Sequence, residues 1–353
     1  MELGYDITVK ILNISYALPT KVVTNQDIIE SALAKSRQHL SPAELETLEQ
    51  RIRKYFRMSG SSIRYRRAEN ERSFDFAVKA GKQALAKANV DPKSVDLLIY
   101  TGVARGWLEP ATANLFQDEL GLTNATCFDI LDACASWIRS MSVADSFIQQ
   151  GLYKTVMILT CELSAGEYAD TELKSVSDLE DFFSGFTIGE AATATIVTAD
   201  DPGKRTTFSF KTWGEKHRLC FIPLPNLDEF TPSHLTNGYL PLRFYTRPAE
   251  LLSFTIKKLV QHFRSLETSW NKAYDIIVGH AVSVSSTSKV SSLLGFDVSR
   301  VFETHSRFGN TVSCSLPLGL AAAEEMGKLK RGMEVLLVMG SAGVTTAFCH
   351  FEY

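Results

Sequence analysis

Several features that would assign a protein class at once are missing from this sequence. Residues 1–6 lack the basic and apolar regions of a signal peptide, and no apolar run reaches the roughly 18 residues needed to span a bilayer. No basic patch indicates nucleic acid as a partner, and no glycine- or proline-rich linker divides the chain. The 353 residues are 45% hydrophobic with a net charge of −3, which is typical of a soluble protein with a large core. We therefore expect a cytoplasmic protein without membrane insertion or a nucleic-acid partner.

Cysteine is sparse and shows no clustered spacing. None of the six forms a Cys-x-x-Cys pair, and they are Cys127, Cys134, Cys161, Cys220, Cys314 and Cys349. Structural zinc sites and the disulfide frameworks of small secreted proteins both need closely spaced cysteines. We expect reduced thiols and no metal site.

One pattern of apolar segments occurs twice. Short apolar runs fall at residues 95–100 and 154–161 in the first part, and at residues 274–278 and 334–339 in the second. Continuous apolar runs favour strands covered on both faces, and helices between them imply right-handed crossovers in largely parallel sheets. The sequence thus predicts an α/β protein of two similar halves, residues 1–200 and 201–353, packed into one body. The turn cluster at residues 200–203 marks the expected boundary.

Cys134 lies where a strand-like run ends and an amphipathic run begins. Apolar residues recur at helical spacing after it and Gly151 provides a stop, so a helix is predicted over residues 135–150. A thiol at a helix N-terminus is stabilised as the thiolate, which lowers its pKa below the usual value of about 8.5. The alternative is a small buried core residue, because free cysteine is among the most buried types.

Two segments interrupt the α/β pattern. Residues 36–58 predict an exposed charged helix with Ser41 as N-cap, Pro42 at the first helical position and Glu44 completing a capping box. Residues 207–248 are rich in aromatic side chains. They form either the wall of an apolar ligand pocket or a satellite core beneath a long excursion.

A reactive thiol needs a polar partner, and two residues of the second half are candidates. Among the seven histidines, His280 directly follows a buried strand, and the carboxyl ends of strands are where ligands collect in open α/β sheets. Asn310 lies in a Gly-Asn turn before a helix, and a neutral amide can stabilise a developing oxyanion. Five other histidines fall in polar loops, helix flanks or the tail, where surface positions are expected: His39, His217, His234, His262 and His350.

These residues together resemble a known family. The chain resembles the thiolase-fold condensing enzymes, and within them the β-ketoacyl-acyl-carrier-protein synthase III group, over nearly its whole length. The segments that carry the resemblance are residues 60–66, 132–134, 188–192, His280, residues 308–311 and residues 340–343. The resemblance implies a thiolase-like fold with two duplicated α/β halves in a layered αβαβα arrangement. It also implies a homodimer whose sheets continue across the interface.

The resemblance further assigns roles to residues. Cys134 would carry the acyl group, and His280 with Asn310 would form a hole for the oxygen of a second thioester. The backbone N–H groups of Cys134 and Gly343 would form the other oxyanion hole. Acyl-CoA or acyl carrier protein thioesters would be the substrates, and no cofactor is implied.

Three departures from the family pattern bear on the reaction. Glu190 stands where an aspartate is usual, and residues 280–283 lack the usual His-Gln-Ala-Asn, which argues against the housekeeping initiator of fatty-acid synthesis. Residues 105–113 place Glu109 before Pro110, similar to the olefin-pathway enzymes that join two acyl-CoA molecules head to head. In those enzymes the matching glutamate crosses the dimer interface and acts as a base, a role that Glu109 inherits as a hypothesis. Its alternative is a glutamate near a helix start, where the helix dipole favours it.

The expected function is therefore an acyltransferase that performs a Claisen condensation through acyl-Cys134, in specialised lipid or polyketide metabolism. One alternative moves the acyl group from the same cysteine to a hydroxyl or an amine. Another is a catalytically silent subunit of a heterodimer. An intact set of Cys134, His280 and Asn310 favours condensation over both.

Overall fold

Two five-stranded sheets organise the protein, in a computed structural model that describes residues 9–200, 205–232 and 238–353. The elements up to residue 200 are β1 (Val9–Ala17), β2 (Lys21–Thr24), α1 (Asn25–Ser36), α2 (Pro42–Ser59), β3 (Ile63–Arg66), α3 (Ser73–Ala88), β4 (Leu97–Thr101), α4 (Thr112–Glu119), β5 (Thr126–Ile130), α5 (Ser136–Gln149), β6 (Thr155–Glu162), α6 (Ala165–Tyr168), α7 (Leu179–Phe186) and β7 (Ala191–Ala199). Those after residue 205 are β8 (Thr207–Thr212), β9 (Cys220–Phe221), α8 (Leu227–Phe230), β10 (Tyr245–Thr246), α9 (Pro248–Phe263), β11 (Ile276–Gly279), α10 (Ser286–Leu293), β12 (Val301–Phe302), α11 (His305–Phe308), α12 (Ser315–Glu325), β13 (Glu334–Ser341) and β14 (Thr345–Glu352).

The two sheets share one topology. The first has the order β1-β7-β6-β4-β5, in which β4 is parallel to both neighbours while β7 is antiparallel to β6 and β1. The second has the order β8-β14-β13-β11-β12, with β11 parallel to both neighbours and β14 antiparallel to β13 and β8. The duplication predicted from the repeated apolar runs is confirmed strand by strand.

Five layers result from packing helices on and between these sheets. In the middle, Trp137 and Ile138 of α5 and Leu316 and Leu320 of α12 share one core with strands of both sheets. On one outside face α3 covers the first sheet, and on the other α9 and α10 cover the second. The strands of the parallel centre are buried along nearly their whole length because both of their faces are covered. The layered αβαβα arrangement is therefore confirmed.

The capping box of α2 forms as predicted. The Ser41 hydroxyl accepts the Glu44 N–H, and the Glu44 carboxylate accepts the Ser41 N–H. The helix is not simply exposed, however, because Leu48, Ile52 and Phe56 recur at helical spacing and pack into a core. Its last turn faces the cavity described below.

The aromatic excursion does two things. Phe221, Tyr239 and Tyr245 form a small aromatic cluster with one stacked and two edge-to-face contacts, while Phe244 and Cys220 line a large cavity. One part of the segment therefore forms a satellite cluster and another part forms a wall of the cavity, so each of the two alternatives is correct for part of it. The expected half boundary at residues 201–203, and also His234, lie outside the described residues.

Candidate active site

Cys134 is held at a sharp turn between β5 and α5. Ala133 before it has φ of 44°, a left-handed conformation that is uncommon for a residue other than glycine. Asp132 N–H is bonded to the Ser136 hydroxyl at 2.7 Å, and that hydroxyl donates to the Ala133 carbonyl at 2.6 Å. The turn thereby presents Cys134 to a cavity at the carboxyl end of the first sheet.

The sequence predicted a lowered pKa for the Cys134 thiol, and that prediction was wrong because the pKa is raised. Ala135 rather than Cys134 is the N-cap of α5, so the thiol precedes the helix terminus. Burial raises the pKa of Cys134 well above its ordinary value, and the charges of Cys220 and Glu162 act in the same direction. Hydrogen bonds from the backbone N–H groups of Ala342 and Cys134 oppose the shift without reversing it. Desolvation outweighs the helix dipole here, so the resting group is a thiol.

His280 reaches the same cavity from the second sheet. It follows the end of β11, and its N–H donates to the Val338 carbonyl of β13 at 2.9 Å. Its Nδ1 lies 3.1 Å from the hydroxyl oxygen of Ser315, the first residue of α12. Burial first and the nearby His305 second lower the pKa of His280 to about 3. The imidazole is therefore neutral at physiological pH.

Asn310 is fixed on the cavity wall by its backbone and its side-chain oxygen. Its N–H donates to the Thr187 carbonyl at 2.8 Å, and its carbonyl accepts the Gly189 N–H at 3.0 Å. The side-chain oxygen accepts the Val312 N–H at 2.9 Å, in a turn where Val312 itself has φ of 50°. With the oxygen engaged, the amide NH₂ is the group left to face a ligand.

One cavity of about 950 Å³ brings the three residues together. Its walls come from α2, α7, α9 and α10 and from the chain after β13, and its lining is mostly apolar. A volume of this size suits a drug-sized or larger apolar ligand. The structure therefore places Cys134, His280 and Asn310 around one apolar chamber, although they are far apart in the sequence.

Two other predicted site residues lie elsewhere. Glu109 sits on the exposed loop between β4 and α4 and does not line this cavity. Gly343 is likewise outside the lining, because the chain turns there toward Val344, which pairs with Trp213. The second amide at the Cys134 sulfur belongs to Ala342, the residue before Gly343.

The histidines dismissed on sequence grounds are not all at the surface. His262 is fully buried between the hydroxyls of Ser209 and Thr346, and His350 packs against Trp270. Burial lowers the pKa of each to about 4. His350 lies on the inward face of β14 and His262 on the inward face of α9, so both belong to the core of the second half.

Sequence reasoning missed two polar groups that support the site. Ser315 follows Asn310 by five positions, and its place at the start of α12 was the available signal. Glu162 is the last residue of the buried strand β6, and its carboxylate accepts hydrogen bonds from Val103 N–H at 3.1 Å and from the Ser313 hydroxyl. A charged residue closing an apolar strand at the carboxyl edge was the signal for it.

No group of three or more histidine, cysteine, aspartate or glutamate side chains in residues 9–200, 205–232 and 238–353 could hold a metal ion. Within the same ranges no helix is long and apolar enough to cross a membrane.

Comparison with known sequences identifies relatives across the chain. Residues 128–214 match the family 3-Oxoacyl-[acyl-carrier-protein (ACP)] synthase III, and residues 270–353 match the family of its C-terminal part. A β-ketoacyl-[acyl-carrier-protein] synthase III of Clostridium acetobutylicum is 25% identical over 342 residues, with 96% of each chain covered. The synthase III of Rickettsia akari is 26% identical over 341 residues and covers 96% of this chain and 98% of the relative.

Solved structures agree on the fold. The 3-oxoacyl-[acyl-carrier-protein] synthase III of Aquifex aeolicus superposes with a TM-score of 0.78 at 22% identity, covering 98% of this chain and all of the other. OleA of Xanthomonas campestris, solved with lauric acid and lauroyl-CoA bound, gives a TM-score of 0.81 at 22% identity, with 98% and 99% covered. Fold, site and relatives together define a thiolase-fold condensing enzyme. Within that class the chain is similar to the β-ketoacyl-acyl-carrier-protein synthase III enzymes, which are acyltransferases.

Proposed function

We propose that this enzyme forms a β-keto product by Claisen condensation of two acyl thioesters through an acyl-Cys134 intermediate, with His280 and Asn310 as its other catalytic residues. The observation that carries the proposal is the meeting of these three side chains in one apolar cavity of about 950 Å³. An uncharged imidazole and an uncharged amide beside a thiol suit acyl transfer and enolate stabilisation better than hydrolysis.

In the first step the Cys134 sulfur attacks the carbonyl carbon of an acyl thioester. A carbon–sulfur bond forms to Cys134, the bond to the donor's sulfur breaks, and the thiol proton ends on the departing thiol. The N–H groups of Cys134 and Ala342, which point toward the sulfur, are suited to hold the oxyanion that forms transiently. Because burial keeps Cys134 protonated at rest, deprotonation accompanies attack instead of preceding it.

In the second step a carbanion next to another thioester carbonyl attacks the acyl-Cys134 carbonyl. The new carbon–carbon bond forms as the bond to sulfur breaks, and Cys134 regains a proton. The negative charge of the second thioester's enolate falls on its oxygen, where the Asn310 amide and the His280 ring can donate hydrogen bonds. If Ser315 donates to Nδ1 of His280, Nε2 carries the proton that this role needs.

Glu109 would generate that carbanion as a base from the partner subunit of a homodimer. Its exposed loop and its absence from its own chain's cavity fit a role across an interface. An edge strand supports the dimer: β5 pairs only with β4 among the described residues, and Leu131 just beyond it is 58% exposed. An unpaired edge of this kind is a template for another strand.

The donor class proposed is acyl-CoA or acyl carrier protein, and OleA with its bound lauroyl-CoA favours a long-chain acyl-CoA. A place in specialised lipid or polyketide metabolism and a cytoplasmic location complete the proposal. We place the division between the two halves at residues 200 and 201.

Intact-protein mass spectrometry after exposure to lauroyl-CoA tests the central assignment. Wild type should gain the mass of one lauroyl group, and Cys134→Ala should gain none. Cys220→Ala is the matched control, since Cys220 lines the same cavity, and it should still be acylated. Persistence of the label in Cys134→Ala, at Cys220 or any other cysteine, would show that Cys134 is not the nucleophile.

A further inference from the structure

Glu162 is buried at the point where three segments around the cavity meet. Glu162 is the last residue of β6 and is only 3% exposed. The carboxylate accepts hydrogen bonds from the backbone N–H groups of Val103, Ala104 and Ser313 and from the Ser313 hydroxyl. Four donors from two segments thus converge on one carboxylate, and none of them comes from a salt-bridge partner.

The first of those segments is the loop that carries Glu109. Glu162 holds its beginning through Val103 and Ala104, and Asp129 holds its end by accepting the N–H groups of Thr112 and Ala113 at 2.8 and 2.9 Å. The part between the two carboxylates is exposed. The loop is therefore fixed at its two ends by buried or half-buried acceptors while Glu109 remains free to reach outward.

The second segment is the turn that carries Asn310. Ser313 lies three residues after Asn310, and between them Val312 adopts φ of 50°, which is strained for a β-branched residue. Such a conformation persists only where its surroundings hold it. The fully buried hydroxyl and N–H of Ser313 provide that hold by donating to Glu162.

We propose that Glu162 is a positioning residue for the condensation step, in which its ionised carboxylate ties the Glu109 loop to the Asn310 turn. The inference rests on the proposed function, because both tied segments deliver groups that meet the second substrate. The groups assigned to the acylation step, Cys134 and the Ala342 amide, are not held by this carboxylate. Loss of the tie should therefore slow condensation more than acylation.

Protonation of the Glu162 carboxylate should make the condensation rate depend on pH. Burial raises the pKa of Glu162 to about 7, while its hydrogen bonds act in the opposite direction. The titratable groups that respond to its charge are the thiols and phenols of Cys134, Cys161, Cys314, Tyr100 and Tyr168, and each of these has a raised pKa. They stay protonated at neutral pH, so Glu162 is the member of this set that changes charge there.

Two variants and one control test the tie by measuring acylation and condensation separately against pH, with lauroyl-CoA as substrate. Glu162→Gln keeps size but places an NH₂ group among N–H donors, and Ser313→Ala removes one donor while keeping the carboxylate. Ser291→Ala is the control, since Ser291 is a buried serine outside the cavity lining whose hydroxyl has no partner among the described residues. Circular dichroism and the unfolding midpoint establish that each variant folds.

Glu162→Gln should lower the condensation rate by about 10- to 100-fold, as expected for misplaced catalytic groups, with acylation within about threefold of wild type. Wild-type condensation should rise with pH around neutrality, and Glu162→Gln should lose that inflection. Ser313→Ala should move the inflection to higher pH, because the ionised carboxylate loses a donor. Ser291→Ala should match wild type.

Equal losses in both steps, or an inflection that Ser313→Ala leaves in place, would overturn the proposal. Faster acylation with unchanged condensation in Glu162→Gln would mean that Glu162 acts only through its charge on Cys134. If Glu162→Gln does not fold, the test rests on Ser313→Ala alone, in which the inflection of the condensation rate should move to higher pH. Wild-type protein without acylation at Cys134 would refute the proposed function itself, a result separate from all of these.

Discussion

His280 and Ser315 face each other across the junction of β11 and α12, with 3.1 Å between Nδ1 of the imidazole and the serine hydroxyl oxygen. The hydroxyl is also 3.4 Å from that of Thr311, so it belongs to a buried polar chain behind the imidazole. This contact sets the orientation of the ring, and with it which nitrogen faces the cavity.

Ser315→Ala should retain acylation of Cys134 and lose part of the condensation rate. A single neutral hydrogen bond contributes about 0.5–1.5 kcal/mol net, which corresponds to roughly 2- to 10-fold. The loss should fall on kcat, since the contact orients a catalytic group and does not touch the acyl chain. Steady-state kinetics with Ser291→Ala alongside measure it; a change confined to KM would contradict the orienting role.

His280→Ala and Asn310→Ala should each still form the acyl-enzyme but release little product. Removal of one oxyanion donor typically costs on the order of 100- to 1,000-fold in rate. The comparison is between intact-mass acylation and product formation measured on the same preparation. Wild-type product yields from either variant would remove that residue from the mechanism.

Glu109→Gln separates a base-dependent from a decarboxylating reaction. It keeps the size of the side chain and cannot take a proton, so acylation should be normal while product from two acyl-CoA molecules falls by about 100- to 10,000-fold. Malonyl thioesters generate the carbanion by losing carbon dioxide and supply the control reaction. If wild type accepts only malonyl donors, or the variant keeps its rate with acyl-CoA pairs, the head-to-head reaction is wrong.

The dimer prediction concerns the free edge of β5. Sedimentation of wild type at micromolar concentration should give about twice the chain mass of 39.2 kDa. Leu131→Asp puts a charge beside that edge and should shift the protein toward monomer. Leu293→Asp is the control, because Leu293 is 46% exposed and ends α10, which covers the second sheet and not the first. An active wild-type monomer would contradict both the interface and a base supplied in trans.

Unfolding experiments against pH report on Glu162 independently of activity. Its pKa is about 7 when folded against an ordinary value of 4.5, so the folded state binds the proton more tightly. Relative to Glu162→Gln, wild type should be most stable below pH 4.5 and lose about 3 kcal/mol of unfolding free energy as pH rises to 7. Denaturant titrations of both proteins between these values measure the difference; parallel curves would mean that the carboxylate is not desolvated.

The sequence alone was sufficient to predict the duplicated α/β architecture, and its resemblance to a family singled out the three residues that line the cavity. Apolar runs determine buried strands because both faces of a parallel sheet are covered, and a nucleophile at a strand–helix junction is a local feature. The capping box of Ser41 and Glu44 and the helix after Cys134 depend on neighbours within a few residues, so local sequence specifies them.

Only the tertiary structure decided the electrostatics and the supporting contacts. The pKa of Cys134 depends on how far the cavity removes water from the thiol, and segments distant in the sequence set that desolvation. The Ala342 amide reaches the sulfur, and His262 is buried, because of how sheets and helices pack. Glu162 joins Val103 to Ser313 across 210 residues of chain, a contact that no local pattern contains. Strands, helix caps and the strand–helix junction at Cys134 are specified by neighbouring residues in the sequence. Burial and long-range hydrogen bonds depend on how the two halves pack.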